Sequence, residues 1–118
     1  NRARMTEKTG STGTLLDGTE VDTLSPAWRA DCEIRAILKM PFASRLDFFE
    51  LTKKRRSHAA AYDLRQRVEA SEPAYVLAMA TKHARREYLA ELGNTAGQTV
   101  RQGLEARILA LHSSRHGD

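Results

Sequence analysis

Four consecutive cations, Lys53, Lys54, Arg55 and Arg56, are the strongest chemical feature of this sequence. From Lys53 to Arg67 six basic residues, Arg65 among them, stand against one acid, Asp63. Such a run can touch several phosphates, and each contact releases counterions and makes affinity depend on salt. Lys82, His83, Arg85 and Arg86 form a second cluster. The candidate binding residues are therefore Lys53, Lys54, Arg55, Arg56, Arg65, Lys82, Arg85 and Arg86. A solvated helix end, where cations suit the carbonyl-rich C-terminus, explains the same residues without a ligand and is the favoured reading. No exposed aromatic platform for stacking bases is evident, which counts against single-strand binding.

The remaining chemistry-bearing residues form no reactive set. His112 and His116 are four apart, a spacing that can hold a metal on a helix, but no Cys or carboxylate stands at ligand spacing. Neither a metal site nor a cofactor is expected. His83 with Glu87 reads as an exposed helical pair rather than an acid–base couple. Cys32, the single cysteine, has no histidine near it in sequence, shares a helix face with Trp28, and is expected to be a buried structural thiol. Trp28, the single tryptophan, is expected to pack. There is no phosphate loop, nucleophile elbow, metalloprotease helix or carboxylate pair. The expectation is no catalytic residue and no enzyme.

A chain of 118 residues suits one domain that buries about two-thirds of its unfolded surface. An apolar fraction of 41% with only 6% aromatic implies a core of Leu, Ile, Val and Ala. The net charge of +4 mildly favours acidic partners. One cysteine excludes an internal disulfide. No apolar run approaches the ~18 residues of a membrane span, so a cytoplasmic protein is expected.

The best-marked helix runs from Ser25 to Lys39. Ser25 can cap it, Pro26 fits its first position, and Pro41 stops it. Its apolar residues make two stripes, Ala27, Ala30, Ile34, Ile37 and Leu38 on one side and Trp28, Cys32 and Ala36 on the other. Arg29–Glu33 and Asp31–Arg35 separate them at ion-pair spacing. This pattern predicts the central helix of a bundle, or the face of a homodimer.

The whole chain reads as all-α, a small bundle of about five helices. Residues 1–14 are expected to form a flexible N-terminal arm, with one helical domain over 15–118. Asp17-Gly18 within residues 15–21 is a hairpin signal, with a plain turn the alternative. A hairpin there needs Leu15, Leu16 or Val21 docked on the helices. Further helices are predicted from Phe42 to about Lys53, from Ser57 to Ala70, from Pro73 to Leu92 with Gly93 as its end, and around Val100, Leu104, Ile108 and Leu111. Ser113 to Asp118 should fray. Gly93–Gly97 followed by Thr99, Arg101, Gln102 and Arg107 also admits a weak helix-turn-helix reading. A shift of 40 residues lays Arg45 over Arg85 and Phe48 over Tyr88, and with one gap Leu38 and Met40 fall over Leu77 and Met79. Two related units, about 28–70 and 71–112, would explain this echo, although any two amphipathic hairpins match comparably.

Leu16-Asp17-Gly18, Trp28-Arg29, Cys32-Glu33, Arg35-Ala36, Leu38 and Met40-Pro41 resemble a family of small uncharacterised proteins encoded by phages and prophages. Arg45, Phe48-Phe49, Lys54–Arg56, Ala60 and Leu64 fit the places where that family continues. Its turn usually carries Arg-Gly, whereas this chain has Arg56-Ser57. The resemblance covers about Leu15 to Ala70, includes no known catalytic position, and implies a mobile-element origin.

Three functions follow as expectations. The first is a non-enzymatic accessory protein that docks on a host protein or nucleoprotein complex in the bacterial cytoplasm, for example as an anti-CRISPR-type inhibitor. The second is a basic DNA- or RNA-binding helical protein. The third is a virion or assembly component. The positive charge argues against mimicry of DNA.

Overall fold

The computed structural model describes residues 11–116. A two-stranded antiparallel hairpin, β1 (Thr12–Thr14) and β2 (Glu20–Asp22), precedes five helices. These are α1 (Pro26–Leu38), α2 (Phe42–Arg55), α3 (His58–Leu77), α4 (Lys82–Ala96) and α5 (Gln98–His116). The expected all-α bundle with a short hairpin is the observed architecture. Residues 1–10 of the expected arm lie outside the described residues, and Thr12–Thr14 form a strand rather than arm. No described helix is long and apolar enough to cross a membrane.

The hairpin is wider than its Asp-Gly signal implies. Thr14 pairs with Glu20, which leaves Leu15–Thr19 as the loop. Gly18 takes φ +95°, and the Asp17 carboxylate accepts from the Thr19 N–H at 2.8 Å. Leu16 is buried in the helical core, the docking that a short hairpin needs. The side chains of α1 complete the clasp. Asp31 Oδ1 accepts from the Leu16 N–H at 3.3 Å, and Arg35, itself paired to Asp31 at 2.7 Å, donates to the Thr14 carbonyl at 2.7 Å. Gly13 lies under the Trp28 ring so closely that a Cβ there would meet it at 2.6 Å. Trp28 thus packs as expected, half-buried. Cys32 does not, because the hairpin covers only the Trp28 end of that stripe and the thiol is exposed.

The helix starts follow their caps. Ser25, Ser57 and Thr81 accept from the backbone N–H groups of Trp28, Ala60 and Ala84. The central helix is α3, packed against each of the other four, and not α1 as its two stripes suggest. Ile34, Ile37 and Leu38 of α1 join Phe49, Leu64, Val68 and Ala74 in the main core. Val76, Leu92 and Leu104 form a second cluster that holds α4 and α5.

Two boundaries differ from the sequence reading. Pro73 does not end a helix: α3 runs through it to Leu77, Thr81 starts α4, and the boundary at residues 70–71 between the two supposed units falls inside α3. A mid-helix proline removes the N–H that would serve the carbonyl four residues back, here Glu69. Arg107 of α5 donates to that carbonyl at 2.9 Å, so a tertiary contact replaces the missing backbone bond. Arg107→Ala should therefore cost about 0.5–1.5 kcal/mol. In a Pro73→Ala background, where the restored N–H serves Glu69, it should cost close to nothing. Denaturant unfolding of the four proteins measures this coupling.

The second difference is at Gly93, which lies buried within α4 rather than at its end. A Cβ there would meet the Gln98 side-chain amide at 2.8 Å and the Arg101 side chain at 3.1 Å, so the first turn of α5 lies close over it. The left-handed position is Gly97, φ +103°, which alone joins α4 to α5 and leaves no room for the Gly93–Gly97 turn. Nor do Ser113–His116 fray: α5 continues to His116, with Gly117 and Asp118 outside the described residues.

Candidate functional site

The two basic clusters do not meet. Lys53–Arg56 close α2 beside the start of α3, whereas Lys82–Arg86 follow the end of α3. A helix of 20 residues separates its ends by about 30 Å at 1.5 Å per residue. Within the first cluster Lys53 pairs with Glu50 at 3.2 Å and Arg56 reaches Glu33 of α1 at 2.8 Å. Arg65 lies over the Phe49 ring, 5.6 Å from its centroid, with Glu69 at 3.8 Å. In the second cluster Arg85 donates to the Met79 carbonyl at 3.0 Å and so secures the α3–α4 link. Lys54, Arg55, Lys82 and Arg86 are exposed and have no ion-pair partner among the described residues. Of the eight candidates, these four are the exposed cations without an ion pair among the described residues.

Exposed pairs elsewhere behave as the spacing predicts. His83 and Glu87 lie 3.1 Å apart on the surface, and the His112 and His116 rings sit tilted at 48° with centroids 4.4 Å apart. No group of three or more metal-ligating side chains occurs among the described residues. Tyr62 departs from expectation. It is 63% exposed on α3, one turn from Arg65, and offers the aromatic face that the sequence reading did not find.

The principal arrangement missed in the sequence is buried. Arg45 of α2, Glu72 of α3 and Tyr88 of α4 meet where three helices converge. Arg45 is 6% exposed and Glu72 7%. The Arg45 guanidinium donates through Nη1 to Glu72 Oε2 at 3.1 Å and through Nη2 to the Tyr88 hydroxyl at 2.7 Å. Nη2 also donates to the Leu38 carbonyl at 3.0 Å, and Nε to the Met40 carbonyl at 3.2 Å. The Tyr88 hydroxyl donates to the same Glu72 oxygen. Buried charges persist only when paired and hydrogen-bonded, and no buried side-chain nitrogen or oxygen among the described residues lacks a partner.

A legible signal existed. Phe42, Arg45, Phe49 and Thr52 fall on one face of α2, and Leu64, Val68 and Glu72 on one face of α3. An arginine and a glutamate thus sit at core positions of adjacent helices. Arg45 also closes α1, whose last carbonyls have no intrahelical donor. The 40-residue echo places Arg45 over Arg85, and both donate to the carbonyl of a methionine that follows a helix end, Met40 and Met79.

Electrostatics hold this cluster in one protonation state. Burial, and then the Glu72 carboxylate beside it, push the Tyr88 phenol well above the ordinary tyrosine value. A nucleophile or base would need the opposite shift. Burial alone would pull the Arg45 guanidinium down, but Tyr88 and Glu72 outweigh it and hold the guanidinium above its usual value. The sign of the pH effect follows. An unfolded tyrosine releases its proton near pH ~10, while folded Tyr88 still holds its own. The contribution of Tyr88 to stability is therefore complete below that pH and is lost as pH rises beyond it. The stability difference between wild type and Tyr88→Phe should stay constant through neutral pH and shrink above pH ~10. Urea unfolding of both proteins across alkaline pH measures it.

Two hollows flank the cluster. One, about 210 Å³, opens between Met40, Phe42, Tyr75 and Glu91; the other, about 200 Å³, lies among α2, α3 and α5. Arg45, Phe42 and Leu92 line both.

No curated protein and no solved structure matches the chain. Residues 21–73, a little under half of its length, match a domain described as "Family of unknown function (DUF7696)". The matched span runs from β2 through α1 and α2 to Pro73 in α3, so it contains Arg45 and Glu72 of the buried lock and ends before Tyr88.

Proposed function

We propose that this protein is a non-catalytic docking module of phage or prophage origin. It acts in the bacterial host cytoplasm by binding a host protein or nucleoprotein complex, in the manner of an anti-CRISPR-type inhibitor. The sequence resemblance alone supports the origin. Docking rests on how the charged groups are used. The buried Arg45–Glu72–Tyr88 cluster is consumed by the fold, whereas Lys54, Arg55, Lys82 and Arg86 remain exposed. Leu46 and Val100 are also open to solvent, 39% and 43% exposed. Cations separated by the length of α3, on a surface that also exposes apolar side chains, suit a protein face better than one phosphate track.

Tyr62 favours a second reading, single-stranded nucleic acid stacked on its ring and held by Lys54, Arg55 and Arg65. Titration of labelled DNA and RNA strands across salt concentrations separates the two. Docking on protein predicts no binding tighter than the ~10⁻⁴–10⁻⁶ M typical of non-specific contacts. Tighter binding that Tyr62→Ala removes, with a salt slope reduced by about 1 in Lys54→Ala, would establish the second reading instead.

A further inference from the structure

The hollow among α2, α3 and α5 has a composition that selects its occupant. Its mouth is formed by Leu46 and Val100, its floor includes Phe49 and Val68, and Arg65 and Arg107 stand on its rim. Resting on the docking reading above, we infer that this hollow receives one apolar side chain, Leu, Met or Phe, from a partner protein segment, with neighbouring Asp or Glu carboxylates contacting Arg65 and Arg107.

Volume, wall chemistry and charge carry the inference together. At about 200 Å³ the hollow is smaller than the ~300–1,000 Å³ of ordinary small-molecule sites and fits a single large side chain. Its open mouth is apolar, so water there is readily displaced by an apolar anchor. Around it, buried Arg45 and Glu72 satisfy each other, which leaves two rim arginines against Glu69. Glu69 holds Arg65 only loosely, at 3.8 Å with both side chains about half exposed. Arg107 uses Nη1 on the Glu69 carbonyl, and the rest of its guanidinium, on an exposed residue, has further donors to offer. The rim therefore favours an anionic segment, and guanidinium–carboxylate pairs are the strong form of such contacts.

The test uses the whole protein and two successive probes. Selection of a displayed random-peptide library on the immobilised protein is expected to enrich one Leu, Met or Phe flanked by Asp or Glu. A fluorescein-labelled peptide of that composition should then bind with an affinity that falls about tenfold or more on Val100→Asp, or on replacing its apolar anchor by Ser. Arg65→Glu should weaken the acidic peptide and strengthen its Lys-substituted counterpart. Val100 is exposed, so unchanged circular dichroism and unfolding midpoint are expected for Val100→Asp. An empty selection, a basic or charge-indifferent consensus, or binding that survives Val100→Asp overturns the inference. So does displacement of the peptide by a single-stranded oligonucleotide, or a dimer of this chain that Val100→Asp dissociates. A protein partner captured equally by wild type and Val100→Asp would remove the hollow from the docking reading and leave that reading standing. Absence of any protein partner for the wild type would remove the reading itself.

Discussion

Arg45→Met will lower the free energy of unfolding by roughly 3–5 kcal/mol, the loss expected when one member of a buried ion pair is removed. Methionine retains an apolar chain about the length of the arginine's aliphatic stem, while the guanidinium contacts with the Phe42 and Tyr88 rings are lost with the charge. Glu72 is left as a buried carboxylate with only the Tyr88 hydroxyl for company, and the Leu38 and Met40 carbonyls lose their shared donor. For a domain of this size the midpoint of thermal unfolding should fall on the order of 10–20 °C. Adding Glu72→Leu should recover part of the loss, because it removes the uncompensated charge. The double-mutant cycle measures that coupling directly. A cost below about 1 kcal/mol, typical of an exposed pair, would contradict the account of this cluster as a lock.

Leu104→Ala should cost a comparable amount, about 2–5 kcal/mol. Leu104 has no exposed surface and sits with Val76 and Leu92 in the smaller core cluster. That cluster, with Ile108 and Leu89 packed against it, joins α5 to the end of α3 and to α4, beside polar ties such as Arg107 to Glu69. Hydrogen exchange offers a regional readout. Amides of α5 should lose protection ahead of those in α1 and α2, whose core of Ile34, Ile37, Leu38 and Phe49 is untouched.

The helices were legible wherever one local signal dominated. Ser25-Pro26 and Pro41 bracket α1 correctly, and the spacing of Leu64, Val68 and Leu104 marks true core positions. Reading failed where a residue had a distant partner. Pro73 looks like a helix breaker until Arg107 is seen to serve the stranded Glu69 carbonyl from 38 positions away. Gly93 looks like a cap because a glycine needed for close approach and one needed for positive φ are the same letter. Thr81 is a local cap signal, accepting from the Ala84 N–H, that the stronger-looking Ser71-Glu72-Pro73 signal masks.

The site was legible in the same partial way. All eight basic candidates follow from charge density, but only their packing separates Lys54, Arg55, Lys82 and Arg86 from Lys53, Arg56, Arg65 and Arg85, which bond within the fold. Arg45 escaped notice because it reads as one more surface cation among many. Its place on the apolar face of α2 distinguishes it, and Glu72 on the facing helix makes the pair interpretable. Tyr62 was missed because the spacing of α3 does not by itself say which tyrosine is covered.

The most direct test of the docking account is affinity capture from bacterial lysate, divided into nuclease-treated and untreated halves, with co-purifying proteins identified and quantified. The account predicts a stoichiometric protein partner in both halves. Nucleic acid recovered only from the untreated half, with no stoichiometric protein in either, would contradict it.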